Sequence, residues 1–454
     1  MKKIFKILVS ALCAALIAVP ALFAVGCSED DFVDYVSELH LDFKSETKKQ
    51  EVTVRLFVDG DTTHFDPVKN STLTSYNAAD FEETLGYIKA RYLAINTPES
   101  TGKIEEWGKK ASNFTHTKLE NAKSIVVESD DGNWNVDSTG ERYLLWVWYL
   151  NDGETEYRNL NLEILQEGLA IGSSTANNRY GKIASAALAQ AKAHKLYVFS
   201  GEKDPDFYYG KAIPVTLKEL RCHVEEYSNL KVVVTGVVTT EFNNSIYIEE
   251  FDPDTGVYFG MSVYYGFTSG KILEVLTVGN EVSVVGTVSY YEGGDSYQIS
   301  GVSYNAFNDN DANNSTIIGT GKSAAFAETS AKDIVSGKLA VNFERENEAG
   351  EMVEENLNLD YGEAIMSTTV SLRDLYVEDV YTTKKGNSAG AMSLTCRAAD
   401  GTVITVRTEV LQDEEGNLIT ESMYLGKRID VKGIIEKYEG KYQVKCYRAD
   451  HIIV

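Results

Sequence analysis

Acidic residues at two predicted turns are the groups in this 454-residue chain best suited to chemistry. Asp59 and Asp61 flank a glycine after an alternating apolar run, where a carboxylate can point from a strand end into a groove. Glu99 follows Asn96-Thr97-Pro98, and the proline makes that turn rigid. Carboxylate, amide and carbonyl oxygens are ligands for a hard cation such as Ca²⁺, and a positioned carboxylate can take a proton from water. Such groups suit phosphodiester hydrolysis, which needs an activated water.

Arg91 and Arg142 could supply the positive charge that this chemistry needs. A guanidinium group grips phosphate oxygens with two hydrogen bonds and stays charged. One arginine would orient the substrate, and the other would stabilise the leaving oxygen and the developing charge. Each of these residues alone also has a structural explanation, because an Asp-Gly-Asp turn, a capping glutamate, a surface ion pair or a hairpin arginine needs no function.

Alternating and helical patterns predict the elements that would position these residues. We expect strands over residues 51–68, 87–95, 124–128 and 143–150, and helices over residues 107–121, 160–168 and 182–194. Strands followed by helices in this order predict an α+β domain.

Four sequence blocks connect these elements to a known family. They are Val58-Asp59-Gly60-Asp61-Thr62, residues 91–99 (RYLAINTPE), residues 106–111 (EWGKKA) and residues 137–144 (DSTGERYL). In this order and spacing the blocks resemble the staphylococcal nuclease (thermonuclease) family over roughly residues 51–205. The resemblance implies an OB-type five-stranded barrel with helices, which uses Ca²⁺ to cleave DNA or RNA and leaves 3′-phosphate ends.

The resemblance also implies a role for individual residues. Asp61 corresponds to a metal-binding aspartate, Glu99 to the general base, and Arg91 and Arg142 to the two family arginines. Thr97 is expected beside the metal. Asp59 and Tyr180 are expected on the substrate side, with Tyr180 either stacking on a base or having no role.

This sequence departs from the family pattern at two positions. The second metal-binding aspartate of the family is here Asn96, which offers a neutral oxygen, so we expect weaker Ca²⁺ binding. Glu141 is inserted directly before Arg142, where the family has glycine followed by arginine. It either forms a one-residue bulge or draws Arg142 back from the site.

The second half of the chain contains a repeat. Its matching positions lie at one fixed offset: Gly279, Val282, Val284, Gly286, Val288, Tyr291, Glu292 and Gly293 correspond to Gly426, Ile429, Val431, Gly433, Ile435, Tyr438, Glu439 and Gly440. The pattern resembles an OB-fold, so a mostly β chain of three barrels is expected. The tyrosines of the repeated hairpins are either cross-strand pairs or platforms for stacking single strands.

The composition divides the chain further. We predict a nuclease-like domain over residues 51–205, OB-like domains over 211–304 and 366–454, and a linker with an irregular segment over 305–365.

The N-terminus has the pattern of an export signal. Lysines precede an apolar run broken by a proline, and small residues precede Cys27. Residues 24–27 (AVGC) resemble a bacterial lipobox, which implies a signal over 1–26, lipid attachment at Cys27 and a tether over 27–50. The other interpretation is a plain secretory cut, with Cys27 incidental. We expect a lipoprotein on the outer face of the cell membrane.

The formal net charge of −25 disfavours a tight, scanning nucleic-acid binder but permits an enzyme that uses a bound cation. The six histidines are not clustered, so a zinc site is not expected. Beyond the predicted lipid-bearing residue, three cysteines define no disulfide framework, although a Cys396–Cys446 bridge is open.

Two functions fit the sequence. The first is an anchored Ca²⁺-dependent nuclease acting on DNA or RNA outside the cell. The alternative is a non-catalytic surface module that binds nucleic acid or another ligand through a degenerate nuclease domain. Neither interpretation calls for an obligate protein partner.

Overall fold

The computed structural model describes residues 32–84, 86–101, 104–139, 142–266, 270–346, 352–385, 388–413 and 415–454. The predicted signal, Cys27 and Glu141 lie outside these residues. No helix within the described ranges is both long and apolar enough to cross a membrane.

The first domain is a barrel with three helices. Its strands are β1 (Lys49–Asp59), β2 (Thr62–Pro67), β3 (Ile88–Tyr92), β4 (Ile95–Asn96), β5 (Ser124–Ser129), β6 (Tyr143–Leu150), β7 (Arg158–Asn159) and β8 (Ile171–Gly172), and its helices are α1 (Gly108–Glu120), α2 (Leu160–Gln166) and α3 (Gly181–Ala193). Strand β1 pairs with β2 and β5, β2 pairs with β3, and β5 pairs with β6. A parallel β3–β6 pair closes the barrel. This confirms the predicted nuclease-like fold class.

Helix α2 is buried along its whole length and fixes the loop between β3 and β4. The Asn161 side chain donates to the carbonyls of Leu93 and Leu145, both at 3.0 Å, and accepts from the Val147 amide at 2.9 Å. A buried amide with all these bonds made stabilises one position of the loop. That loop leads into Asn96 and Glu99.

The first domain includes residues that precede β1. Val36 is buried in its core, and Tyr35, Leu39 and Leu41 pack against it. The Tyr35 amide also donates to Gln166 at 2.7 Å. The predicted tether over residues 27–50 is therefore too long. Its few apolar side chains pack against a surface that other parts of the chain form, and a polar local sequence does not show this.

The second domain contains β9 (Ile213–Pro214), β10 (Lys231–Phe242), β11 (Ser245–Asp252), β12 (Val257–Tyr264), β13 (Glu281–Tyr291), β14 (Ser296–Ser300) and β15 (Thr316–Gly319), with helices α4 (Leu217–Cys222) and α5 (Lys271–Val275). The chain continues with a hairpin of β17 (Lys338–Glu346) and β18 (Met352–Asp360), which packs on the second domain. The third domain contains β16 (Ala327–Glu328), β19 (Thr369–Thr382), β20 (Met392–Arg397), β21 (Val403–Thr408), β22 (Arg428–Tyr438), β23 (Lys441–Cys446) and β24 (Ile452–Ile453), with helices α6 (Ala331–Ser336) and α7 (Tyr361–Ala364).

Both C-terminal barrels repeat the strand pairing of the first. In the second domain β10 pairs with β11 and β13, and β12 runs parallel to β14. In the third β19 pairs with β20 and β22, and β21 runs parallel to β23. The chain therefore contains three OB-like five-stranded barrels, as the repeat predicts.

The predicted linker over residues 305–365 contains regular structure. Strand β15 pairs with β13, and β17 and β18 form a long hairpin. Val341 of this hairpin is buried in the second domain's core, and Leu339 and Phe343 pack against that core. The linker prediction is wrong for this part. The apolar residues of the hairpin alternate with Asn and Glu, so the segment has the low overall hydrophobicity that is typical of a linker.

Cys222, Cys396 and Cys446 are free thiols. Cys396 and Cys446 are both buried in the third barrel's core. The bridge that the sequence left open is therefore not formed.

Candidate active site

The site begins where β1 turns into β2. The buried Asp61 carboxylate accepts from the Thr97 amide at 2.9 Å and from the Thr62 hydroxyl at 3.2 Å. Helix α1 supports this turn, since the Thr115 hydroxyl donates to the Gly60 carbonyl at 2.6 Å. Two chain segments 36 residues apart are thereby fixed against each other.

Arg91 joins these two segments. In the strand register it lies opposite Thr62 on one side and Leu144 on the other. Its guanidinium group forms an ion pair with Asp61 and donates to the side-chain oxygen of Asn96. Three of the residues predicted from sequence are thus in direct contact.

The second predicted arginine lies close to the first. Burial lowers the pKa of Arg91, and the positive charge of Arg142 lowers it further. The carboxylates of Glu99, Asp59 and Asp137 oppose this shift. These groups act on Arg91 only because they lie near it, so both arginines and the acidic residues form one cluster.

Asp59 and Glu99 form the acidic side of this cluster. Asp59 Oδ1 accepts from the Gly60 amide at 2.8 Å and from the Ser100 hydroxyl at 2.7 Å. Burial raises the pKa of Glu99 to about 7, and the hydrogen bond to Asp59 and the charge of Asp59 add to the rise. A carboxylate with a pKa near neutrality can accept a proton from water at physiological pH.

Asp137 positions Arg142, a role that the sequence did not assign. Asp137 Oδ2 accepts from Arg142 Nε at 2.7 Å. Although burial opposes it, hydrogen bonds from Thr139 and Arg142 keep the pKa of Asp137 below its ordinary value. This pairing could have been predicted from the sequence, because Asp137 precedes Arg142 by only five residues. In the structure the Asp137 amide also donates to the Arg142 carbonyl at 2.8 Å.

Residues 89–199 match the family model described as Staphylococcal nuclease homologue. The first domain is staphylococcal nuclease-like. The match includes Arg91, Asn96, Glu99 and Arg142, and the fold adds the β1–β2 turn, which precedes the matched range. A domain of this kind supports a nuclease or nucleic-acid-binding function.

The nuclease-like domain offers a small set of oxygen atoms to a cation. Asp61 provides a carboxylate and Asn96 an amide oxygen, and Thr97 Oγ1 is buried without a hydrogen-bond partner among the described atoms. Oxygen ligands fit a hard cation such as Ca²⁺ in kind. These ligands carry one formal negative charge, and the positive charge of Arg91 is paired with it. In the described part of the chain, no group of three or more His, Cys, Asp or Glu is arranged to bind a metal. These residues therefore fit a weakly bound Ca²⁺.

Two glycines allow chain segments to pack closely around the nuclease-like site. A Cβ added at Gly60 would lie 2.9 Å from Thr97 Oγ1, and one added at Gly108 would lie 2.3 Å from the Glu99 carbonyl oxygen. Because neither position has room for a side chain, both turns approach the loop of Thr97 and Glu99 closely.

Tyr180 is half-buried against the core of the nuclease-like domain. Its ring packs edge-on against Trp146 and Trp148, and its hydroxyl donates to Glu128 at 2.9 Å. These contacts give the ring a packing role, and base stacking by Tyr180 remains a prediction.

The Asp59→Asn variant is expected to lower the pKa of Glu99 towards its ordinary range. The substitution removes one of the charges that disfavour ionisation of Glu99, and burial and the charge of Glu105 then sustain a smaller rise. The measurement is an NMR titration of the Glu99 carboxyl carbon in chelator, for wild type, Asp59→Asn and the exposed control Asp42→Asn. A Glu99 pKa of about 7 in all three proteins would show that Asp59 does not act on Glu99.

Proposed function

We propose that this protein is a Ca²⁺-dependent nuclease that hydrolyses phosphodiester bonds of DNA or RNA. The supporting observation is the cluster itself, in which Glu99, with a pKa of about 7, lies near Arg91 and Arg142. The three groups combine a base that is partly ionised at neutral pH with two positive charges for a phosphate.

In this proposal Glu99 accepts a proton from the attacking water, which then bonds to phosphorus. Arg91 and Arg142 neutralise the charge that develops on the phosphate oxygens. The bond between phosphorus and the 5′-oxygen breaks, that oxygen takes up a proton from solvent, and a 3′-phosphate end remains. Asp61, Asn96 and Thr97 would hold a Ca²⁺, which when bound polarises the phosphate as a Lewis acid.

The low charge of the metal ligands favours a second candidate function, which is binding without catalysis. Asn96 supplies no charge, and the one clear carboxylate ligand, Asp61, is paired with Arg91. A site that cannot retain Ca²⁺ would leave a surface protein that binds nucleic acid or another ligand without cleaving it.

Plasmid nicking separates the two functions. Mature wild-type protein and the Glu99→Gln variant are incubated with supercoiled DNA, with Ca²⁺ or with excess chelator. Nicking by wild type alone, abolished by chelator, supports the nuclease. Equal residual nicking by both proteins, or binding without nicking, supports the non-catalytic module.

The Asn96→Asp variant is expected to bind Ca²⁺ about ten-fold more tightly, on the scale of one charge-assisted contact. Calcium affinity follows the number of charged ligands, and extracellular sites commonly work at about 10⁻⁴–10⁻³ M. Calorimetric titration and the Ca²⁺ dependence of nicking measure the same shift independently. Superimposable curves for the two proteins would remove Asn96 from the metal site, and Asn133→Asp at an exposed position of the same domain is the matched control.

We also propose that the protein is exported and held at the membrane by lipid on Cys27, with its domains outside the cell. The support is the lipobox-like sequence before Cys27. The Cys27→Ala variant is expected to move from the membrane fraction to the medium. A wild-type protein already wholly in the medium would contradict the anchor and leave export alone.

A further inference from the structure

The three barrels surround one large cavity, called here the central cavity. They belong to a single compact unit, Tyr35–Val454. The cavity has a volume of about 1550 Å³, and its wall includes residues of β1 and α1, of β12 to β14, and of β19 to β23. Pockets for small ligands hold roughly 300–1,000 Å³, so this space suits a segment of a polymer.

The charge of the wall is opposite to that of the chain. Six lysines or arginines and two glutamates line the cavity among the described residues, whereas the whole chain has 43 basic and 68 acidic residues. The basic residues are Arg55, Lys109, Lys385, Arg407, Lys437 and Lys445. Arg55, Lys437 and Lys445 are ion-paired with acidic residues, whereas Lys109, Lys385 and Arg407 have no ion pair among the described residues. Unpaired positive charges in a concave wall concentrate anions locally.

Arg407 shows that this charge is not simply cancelled by ion pairs. It is half-buried, and its guanidinium group donates to the hydroxyls of Thr383 and Ser393, each at 3.1 Å. Hydroxyl partners fix the guanidinium group and leave its charge in place. A phosphate oxygen would find a positioned donor here.

Aromatic rings are concentrated on the same wall. Of the six tyrosines with exposed side chains among the described residues, four line the cavity: Tyr290, Tyr291, Tyr381 and Tyr438. Tyr290 pairs across the hairpin with Tyr297, as one of the two interpretations of the sequence predicted. The other three rings are available to stack on bases, which every base permits through its flat face.

The two C-terminal barrels present equivalent residues to the cavity. Tyr291 and Tyr438 occupy the same position of the repeat, and so do Gln298 and Gln443. The tip of the β13–β14 hairpin lies between the domains, because Glu292 lies beside Phe57 of β1 and Asp295 is 3.9 Å from Lys437 of β22. Both barrels thus turn the same face towards one space.

The cavity reaches the catalytic cluster. Ser100, which donates to Asp59, and Thr101 lie in its wall beside Tyr264 of β12. Burial raises the pKa of Tyr264, and the nearby Tyr291 and Glu99 add to the rise. A polymer in the cavity would therefore approach Glu99 along Tyr291 and Tyr264.

We propose that the central cavity binds single-stranded nucleic acid and leads it to the Glu99 cluster. The inference rests on the proposed nuclease function and names its substrate as a single strand, because only unpaired bases can stack on the tyrosines while phosphates meet the basic residues.

The test measures binding without cleavage. The mature full-length protein is titrated in chelator, at 50 to 200 mM salt, against a fluorescent 20-nucleotide single strand and the matching duplex, with anisotropy as the readout. The variants are Tyr291→Ala, Tyr438→Ala and Arg407→Gln. The matched controls are Tyr376→Ala and Arg373→Gln, which are exposed residues of the third barrel outside the cavity wall.

We expect the single strand to bind more tightly than the duplex, and each cavity variant to weaken binding at least about five-fold. Arg407→Gln should also reduce the slope of log K against log salt by about 0.7. The proposal would be overturned if the duplex bound as tightly as the single strand, or if the control variants weakened binding as much as the cavity variants. It would also be overturned if heparin displaced the strand and the tyrosine variants did not change this competition.

Hydrolysis of a small phosphodiester, bis-p-nitrophenyl phosphate, separates this proposal from the nuclease function. Cavity variants that hydrolyse it normally but bind the single strand weakly support the cavity. Strand binding without any hydrolysis would contradict the nuclease alone, whereas hydrolysis without selective strand binding would contradict the cavity alone.

Discussion

The Glu99→Gln variant is expected to cleave nucleic acid at least ~10²-fold more slowly than wild type, within the ~10²–10⁴-fold range of a general base. The substitution keeps the shape of the side chain and removes its ability to accept a proton. The measurement is kcat/KM on a defined oligonucleotide at saturating Ca²⁺. A variant that cleaves at nearly the wild-type rate would exclude Glu99 as the base.

The same variant has a stability readout that separates catalysis from misfolding. The pKa of Glu99 is raised from 4.5 to about 7, so its ionised form destabilises the folded state. This destabilisation is absent below the unfolded pKa, grows as the pH rises, and is complete above the folded pKa. Glu99→Gln should therefore melt at a higher temperature than wild type at pH 8 and at an equal temperature at pH 4. A lower melting temperature at pH 8 would attribute lost activity to damage of the fold.

Arg91→Ala and Arg142→Ala are each expected to lose at least ~10²-fold in kcat/KM, as for removal of a group that stabilises transition-state charge. Their stabilities should differ. The Arg91 side chain is 18% exposed and contacts Asp61 and Asn96, so its removal leaves the buried Asp61 carboxylate without its charged partner, and the melting temperature should fall. The Arg142 side chain is 37% exposed and pairs with Asp137, so its removal should change the melting temperature little.

One conservative variant and a distant control complete this comparison. Arg142→Lys keeps the charge but loses the two-pronged geometry, so partial activity is expected. Arg373→Ala removes an exposed, ion-paired arginine of the third barrel and should leave cleavage unchanged. Full activity in Arg142→Ala would mean that this arginine does not reach the phosphate.

The sequence was sufficient for features that depend on neighbouring residues. Alternation placed β1, β3, β5 and β6, and the repeat predicted two equivalent barrels, because side chains two residues apart share a strand face. The catalytic candidates could also be found, since Asn96 and Glu99 lie in one short block.

The tertiary structure alone decided what depends on distant parts of the chain. Burial beside Asp59 raises the pKa of Glu99, and Arg91 of β3 forms an ion pair with Asp61 of the β1–β2 turn. Val36 and Val341 are core residues only because separate segments form the surfaces that cover them. The central cavity exists because three barrels meet, and no local pattern shows which faces of the barrels turn towards one another. Residue types and their spacing fix local geometry, whereas solvent exclusion and the local electric field arise from atoms brought together by the fold.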